Sequence, residues 1–290
     1  MKPVLNILKW GGIGLLSLAL LLAATVYGIS EYRLTRTYDV PLAAIDVPHD
    51  AISVAEGKRL VGVYHCGACH GEGYVGKEFI NAPNVARIIA ANLTTSIPTY
   101  SDPELARLVR HAVKKDGQNA WMFASGMYTP MTDADLGKII GYLRTIPPAP
   151  NPGLGTNSFG PVGRGLIVAG EFPIMAAVIN HQRIPAWGQD TTQLGRGRYL
   201  TMTVCSGCHG GPTLAGRTDD HMKSPALVIA TSYTNAQFRH LLHTGEGNRK
   251  KDCGMMSALA KGFLHNLTNR ETDAIYTYLQ TLPDQAVASR

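Results

Sequence analysis

The sequence predicts an all-α protein, with two tandem helical units behind one N-terminal membrane helix. Three observations predict it. An apolar stretch without a single charge, Trp10 to Ile29, lies near the start, and about 20 such residues are what a helix needs to cross a bilayer. A five-residue string of the form C-x-x-C-H occurs twice, as Cys66-Gly67-Ala68-Cys69-His70 and as Cys205-Ser206-Gly207-Cys208-His209. The helical signals that follow the first string return in the same order after the second, as an internal duplication requires.

The elements follow in chain order. Lys2, Lys9 and the terminal amine precede the apolar stretch and hold the N-terminus on the cytoplasmic side, while Trp10, Tyr27 and Tyr32 sit where interfacial aromatics gather. A cleaved signal peptide would carry a shorter apolar region, about 7–15 residues, and a small-residue cleavage site. No such site stands before Glu31, so residues 1–32 are expected to be a retained anchor, with 33–50 as its connection. The first unit is expected over 51–149. It opens with a helix carrying Leu60, Val61 and Tyr64, and a second helix starts at Asp102-Pro103 with Leu105, Leu108 and Val109 on one face. A third is capped by Thr132, with Asp135 three residues on, carries Leu136, Ile139, Ile140 and Leu143, and stops at Pro147.

The stretch Pro147 to Gly160 is rich in Pro, Gly and Asn and opens an interdomain linker, 150–192, in which Leu166 to Ile179 reads as a short buried helix. The second unit, 193–285, repeats the plan. Tyr199, Leu200 and Val204 precede the motif, and Tyr233-Thr234-Asn235-Ala236-Gln237-Phe238 echoes Tyr100-Ser101-Asp102-Pro103-Glu104-Leu105. Thr268 with Glu271 caps a last helix carrying Ile275, Tyr278 and Leu279, which Pro283 stops, leaving a tail at 286–290. Tyr142-Leu143-Arg144-Thr145-Ile146-Pro147 returns as Tyr278-Leu279-Gln280-Thr281-Leu282-Pro283, an offset of 136 against 139 for the motifs. No strand pattern is visible.

Formal net charge is +6 and aromatic residues make up only 7%, few for two self-sufficient cores. A buried flat cofactor would supply the missing apolar bulk. The basic residues form no sustained patch, which excludes a nucleic-acid partner, although Lys114-Lys115 and Arg249-Lys250-Lys251 suit an acidic protein surface. There is no Gly-rich dinucleotide fingerprint.

The C-x-x-C-H string is the signal for covalent attachment of haem c. Two thiols three positions apart each add to one vinyl group, and the imidazole that follows ligates iron. Cys66, Cys69, Cys205 and Cys208 are therefore expected to hold two haems, with His70 and His209 on the irons. A single zinc site fits worse, because such cysteine pairs lie about 15–20 residues apart. A thioredoxin-like motif would need a βαβ setting, and disulfide staples do not call for His after the second Cys.

Residues 55–285 resemble class I c-type cytochromes fused in tandem, and are most similar to the membrane-anchored haem subunits of bacterial alcohol and aldehyde dehydrogenases. Asn92-Leu93-Thr94, Arg110-His111-Ala112-Val113, the helix starts at Thr132 and Thr268 and both Tyr-Leu-x-Thr-x-Pro endings carry the match. The best-known subunit of that family carries three haem motifs; two are present here. The resemblance implies a Met opposite each His, on the loop before the last helix. Met256 fits this in the second unit, with Met255 as the fallback. The first unit offers Met122, Met127 and Met131, and the family string Trp-Met-Pro-Ser, here Trp121-Met122-Phe123-Ala124-Ser125, selects Met122. Met127 and Met131 would then pack against the core or the haem edge. His111 is implied near a propionate, and Cys253, the fifth cysteine, is an alternative iron ligand.

The function this implies is electron relay. The chain would be a single-pass protein of the bacterial inner membrane with its haem domains in the periplasm, passing single electrons between a dehydrogenase or other redox protein and a quinone or oxidase acceptor. The alternative is a dihaem redox enzyme, of peroxidase or thiosulfate dehydrogenase type, with an open or Cys253-ligated iron. No catalytic residue is assigned.

Overall fold

The computed structural model describes residues 2–122, 124–219 and 222–282. Phe123, His221, Pro283 and the 286–290 tail lie outside the described residues. The first helix, α1 (Lys2–Thr35), continues past the apolar stretch on both sides. At 1.5 Å per residue it is about 50 Å long, more than the roughly 30 Å hydrocarbon core of a bilayer. Its side chains are exposed almost to the end. The last turns are not free. They meet α8 (Pro161–Ala169): the Arg33 guanidinium donates to the carbonyls of Ile167 at 2.7 Å and Val168 at 3.0 Å, at the negative end of that helix. In return Arg164 bonds Ser30 and Glu31, both at 2.9 Å, and stacks on Tyr27 at 4.1 Å.

The first half contains α2 (Ala51–Val63), α3 (Cys66–His70), α4 (Leu93–Ser96), α5 (Asp102–His111), α6 (Ser125–Tyr128) and α7 (Asp133–Arg144). The second contains α10 (Gln193–Leu200), continued by a π-helical turn over Thr201–Cys205, then α11 (Asn235–Thr244), α12 (Met255–Gly262) and α13 (Asn269–Leu279). The caps explain the starts. Asp50 accepts from the Ser53 amide ahead of α2, Thr132 from Asp135 ahead of α7, and Thr192 from Gly195 ahead of α10. Ser101 with Glu104, Thr234 with Gln237 and Thr268 with Glu271 form full capping boxes. The Asp135 side chain does not complete the box expected of it, because its carboxylate is engaged elsewhere.

In each half the helix before the motif crosses the last helix at a glycine. A Cβ on Gly57 would lie 2.0 Å from the Lys138 carbonyl oxygen, and one on Gly197 would lie 1.9 Å from that of Ala274. Side chains seal both crossings: Leu60, Leu136 and Ile140 in the first, Leu200, Ile275 and Leu279 in the second, each no more than 2% exposed. Burying one such chain stabilises by about 1.5–3 kcal/mol. Both crossings belong to one continuous apolar cluster.

Strands are present, against the sequence expectation. β1 (Lys77–Ala82) and β2 (Ala86–Ala90) form an antiparallel hairpin with a bulge near Phe79, and β3 (Ser158–Phe159) joins the β2 edge. β4 (Arg217–Asp219) and β5 (Met222–Ser224) form a second hairpin. These strands are short and half exposed, with no hydrophobic alternation, so periodicity gives no signal for them.

The segment after Pro147 is an ordered strap. It supplies β3, α8 and α9 (Met175–Val178), and Gly170 in the left-handed region ends α8. The single helix expected over Leu166 to Ile179 is thus two short ones. A second apolar cluster, with Tyr38, Val40, Val113, Ile167 and Ile174, ties the strap to the exit of α1 and the end of α5.

Candidate haem sites

Each motif lies at the end of its helix, but the two backbones arrive differently. In the first, α2 ends at Val63, His65 adopts a left-handed conformation (φ 56°, ψ 30°), and α3 begins at Cys66. In the second, the chain runs from α10 through the π turn into Cys205 without a break, and the Cys208 and His209 amides both bond the Cys205 carbonyl at 3.2 Å.

The side chains converge again. None of the cysteines forms a disulfide. Burial pushes the thiols of Cys66 and Cys205 up to about 12, so neither is a ready thiolate for metal or redox exchange. Burial also raises Cys69 and Cys208, opposed by Lys77 and Arg217 respectively, each at the start of the hairpin that follows its motif. Among the described residues no three His, Cys, Asp or Glu side chains gather into a metal-holding group.

The hairpins orient the imidazoles. His70 Nδ1 donates to the Ala91 carbonyl at 2.8 Å, one residue past β2; His209 Nδ1 donates to the Pro225 carbonyl at 2.9 Å, one residue past β5. A carbonyl oxygen only accepts, so each ring carries its proton on Nδ1 and keeps the Nε2 lone pair for a metal. Burial lowers the His70 pKa, partly offset by the Ala91 bond, which favours the neutral ligand form. Sequence reasoning missed Ala91 and Pro225, because a backbone carbonyl has no residue signature. Nearby, Asn92 caps α4 and both Asn92 and Thr94 bond the Ala149 carbonyl.

The methionines separate. Met256 is half-buried against the main core, whereas its neighbour Met255 is 59% exposed. Met122 is half-buried against the same core. Met131 is buried, and its carbonyl takes two bonds from Arg110. Met127 turns to the other half, where its sulfur accepts the Gly207 amide at 3.0 Å. Cys253 Sγ donates to the Lys250 carbonyl at 3.4 Å and its amide bonds Ser257. His111 pairs with His181 (Nδ1 to Nδ1, 3.1 Å), and burial, followed by the charges of His181, Arg110 and Arg107, pushes it down to about 4.

The donor set, two thiols with a tautomer-fixed imidazole beside an apolar wall, fits a covalently bound haem. Residues 54–147 match the family model for cytochrome c. The chain is 24% identical over 267 residues to the fructose dehydrogenase cytochrome subunit of Gluconobacter japonicus, an alignment covering 81% of this chain and 53% of that one. The chain thus spans about half the length of this curated relative. Residues 54–147 are therefore an electron-transfer domain of the cytochrome c family, which implies covalently bound haem c, in a chain similar over most of its length to the cytochrome subunit of a dehydrogenase.

Proposed function

We propose that the chain is a membrane-anchored dihaem cytochrome c that relays single electrons from a dehydrogenase partner toward a respiratory acceptor, a quinone or an oxidase. The observation that carries the second haem is the repeated carbonyl clamp, His70 on Ala91 and His209 on Pro225. The paired glycine crossings and the matched burial of Cys66 and Cys205 support a second cytochrome c domain over 193–285. Cys66 with Cys69, and Cys205 with Cys208, would hold the haems by thioethers. His70 and His209 would ligate the irons, opposite Met122 and Met256.

Bound haem supplies a one-electron couple, raised by thioether ligation. The protein does the rest. The carbonyl clamps hold the Nδ1 protons of both rings and so aim their Nε2 atoms. Met256 is favoured over Met255 by burial. Met122 is favoured because Met131 is enclosed in the core and Met127 faces Gly207.

A dehydrogenase partner is supported by the relative's name, and membrane attachment by α1. Its clamp on α8 argues for a retained anchor, because cleavage after Glu31 would strip three of the contacts holding Arg164 and α8. The haem domains would then lie in the periplasm.

A pyridine haemochrome assay on the full chain tests the reading. About two haems per chain, resistant to acidified organic solvent, are expected from the two motifs; one haem per chain overturns it.

A further inference from the structure

Each half covers the motif of the other. Met127, on α6 of the first half, accepts the amide hydrogen of Gly207 in the second motif. A Cβ at Gly207 would lie 2.4 Å from that sulfur, so Met127 accounts for a glycine where the first motif has Ala68. Phe263, just past α12 of the second half, lies over the first motif: a Cβ on Gly67 would stand 3.9 Å from its ring, which meets His65 edge-on at 5.2 Å. Met127 and Phe263 are 136 positions apart, the offset that relates Tyr142 to Tyr278. They occupy the same place in the repeat and reach across in opposite directions. Next to Met127, the buried Tyr128 donates to the Tyr64 carbonyl and stands close enough to Cys66, Cys69 and Cys208 to feel all three.

We propose that Met127 and Phe263 are reciprocal positioning residues that couple the two haem sites, each fixing the motif of the opposite half and so the path for electron exchange within the chain. The inference rests on the two-haem reading. Neither residue ligates iron. Each holds the backbone turn that carries the opposite half's thioethers, so its loss acts crosswise.

The test is a spectroelectrochemical titration of the full chain bearing Met127→Ala or Phe263→Ala. Met256→His, which lowers only the second haem's potential, serves to assign the two signals. Haem content is measured first: one haem per chain in the wild type refutes the two-haem reading itself, and this inference with it. With two haems, both variants should keep both thioether charge-transfer bands. Met127→Ala should shift mainly the second haem's potential and Phe263→Ala mainly the first's, and each should slow inter-haem exchange severalfold in flash photolysis. Met127→Leu, which restores the volume, should recover most of the exchange rate. Shifts confined to each residue's own half, loss of the first haem's band in Met127→Ala, or potentials and exchange rates unchanged in both variants would each overturn the coupling. If a variant fails to load haem, the milder Met127→Val or Phe263→Leu gives the crosswise readout instead.

Discussion

The two motif neighbourhoods reach one arrangement by different routes. In the first, a helix stops, a histidine turns left-handed and a new short helix carries the cysteines; a bulged hairpin and a third strand follow. In the second, the helix runs through a π turn into the motif, and the hairpin is cut to three residues a side. What survives the difference is small: a glycine crossing that brings first and last helices together, and a carbonyl at the hairpin exit that fixes the imidazole. The connections are free to diverge because all that each must supply to its imidazole is one carbonyl for Nδ1.

The comparison breaks first at the glycines. Gly57→Ala and Gly197→Ala each drive a Cβ into a backbone carbonyl that cannot move away, and each should cost about 3 kcal/mol in urea unfolding. Near-equal losses mark equivalent crossings; a cost at one alone would show that the halves are not built alike.

Next is the seam between the halves, to which both sides of the repeat contribute. Arg59 holds Glu271 by two bonds, at 2.7 and 3.0 Å, and Arg196 joins Glu271 to Asp135, both at 3.2 Å. Tyr199 donates to Asp135 at 2.8 Å and accepts from Tyr64 at 3.0 Å. Burial pulls the Glu271 carboxyl upward, but the Arg59 bond, the Thr268 amide and the charges of Arg59 and Arg196 outweigh it, and the net shift is downward. A carboxyl depressed in the folded state stabilises above its unfolded value, about 4.3, and that stability drains away as pH falls through the folded value. Glu271→Gln should therefore cost about 2 kcal/mol near neutrality, less than a fully buried pair because both arginines are partly exposed, and should flatten the loss of stability below about pH 4. An unchanged acid limb in denaturation curves would place the titration elsewhere.

The smallest difference is at the last helices. Thr268 has a full capping box and Thr132 a single bond, so Thr268→Ala should cost about 1.5 kcal/mol and Thr132→Ala about 1 kcal/mol by thermal unfolding. The reverse order would mean that Asp135 at the seam governs α7 more than its cap does.

Helix starts were legible because a cap is a local event: Thr132, Thr268 and Asp102 stand where side-chain oxygens and helical periodicity coincide. The Cys and His of each motif stand out by spacing alone, and their role as haem ligands remains the proposal made above. Both hairpins escaped, since strands of three to six half-exposed residues carry no periodic signal, and Ala91 and Pro225 act through carbonyls that any residue provides. Asp135 was assigned to its own helix cap; its true partners, Arg196 and Tyr199, are more than 60 positions away, and no local pattern announces a contact across halves. The contact of His111 with His181, which the linker brings back over the first half, likewise had no local signal.

The α1–α8 clamp has a mechanical consequence. A domain tethered by a floppy linker samples a hemisphere above its membrane, and partners find it at every angle. Here two arginines and a tyrosine grip the helix where it leaves the apolar stretch. In the proposed relay the body would stand on its stalk at a fixed tilt, like a bracket rather than a balloon. Encounter with a partner in the same bilayer then becomes a search over two dimensions with one face presented, which raises effective concentration without any new contact.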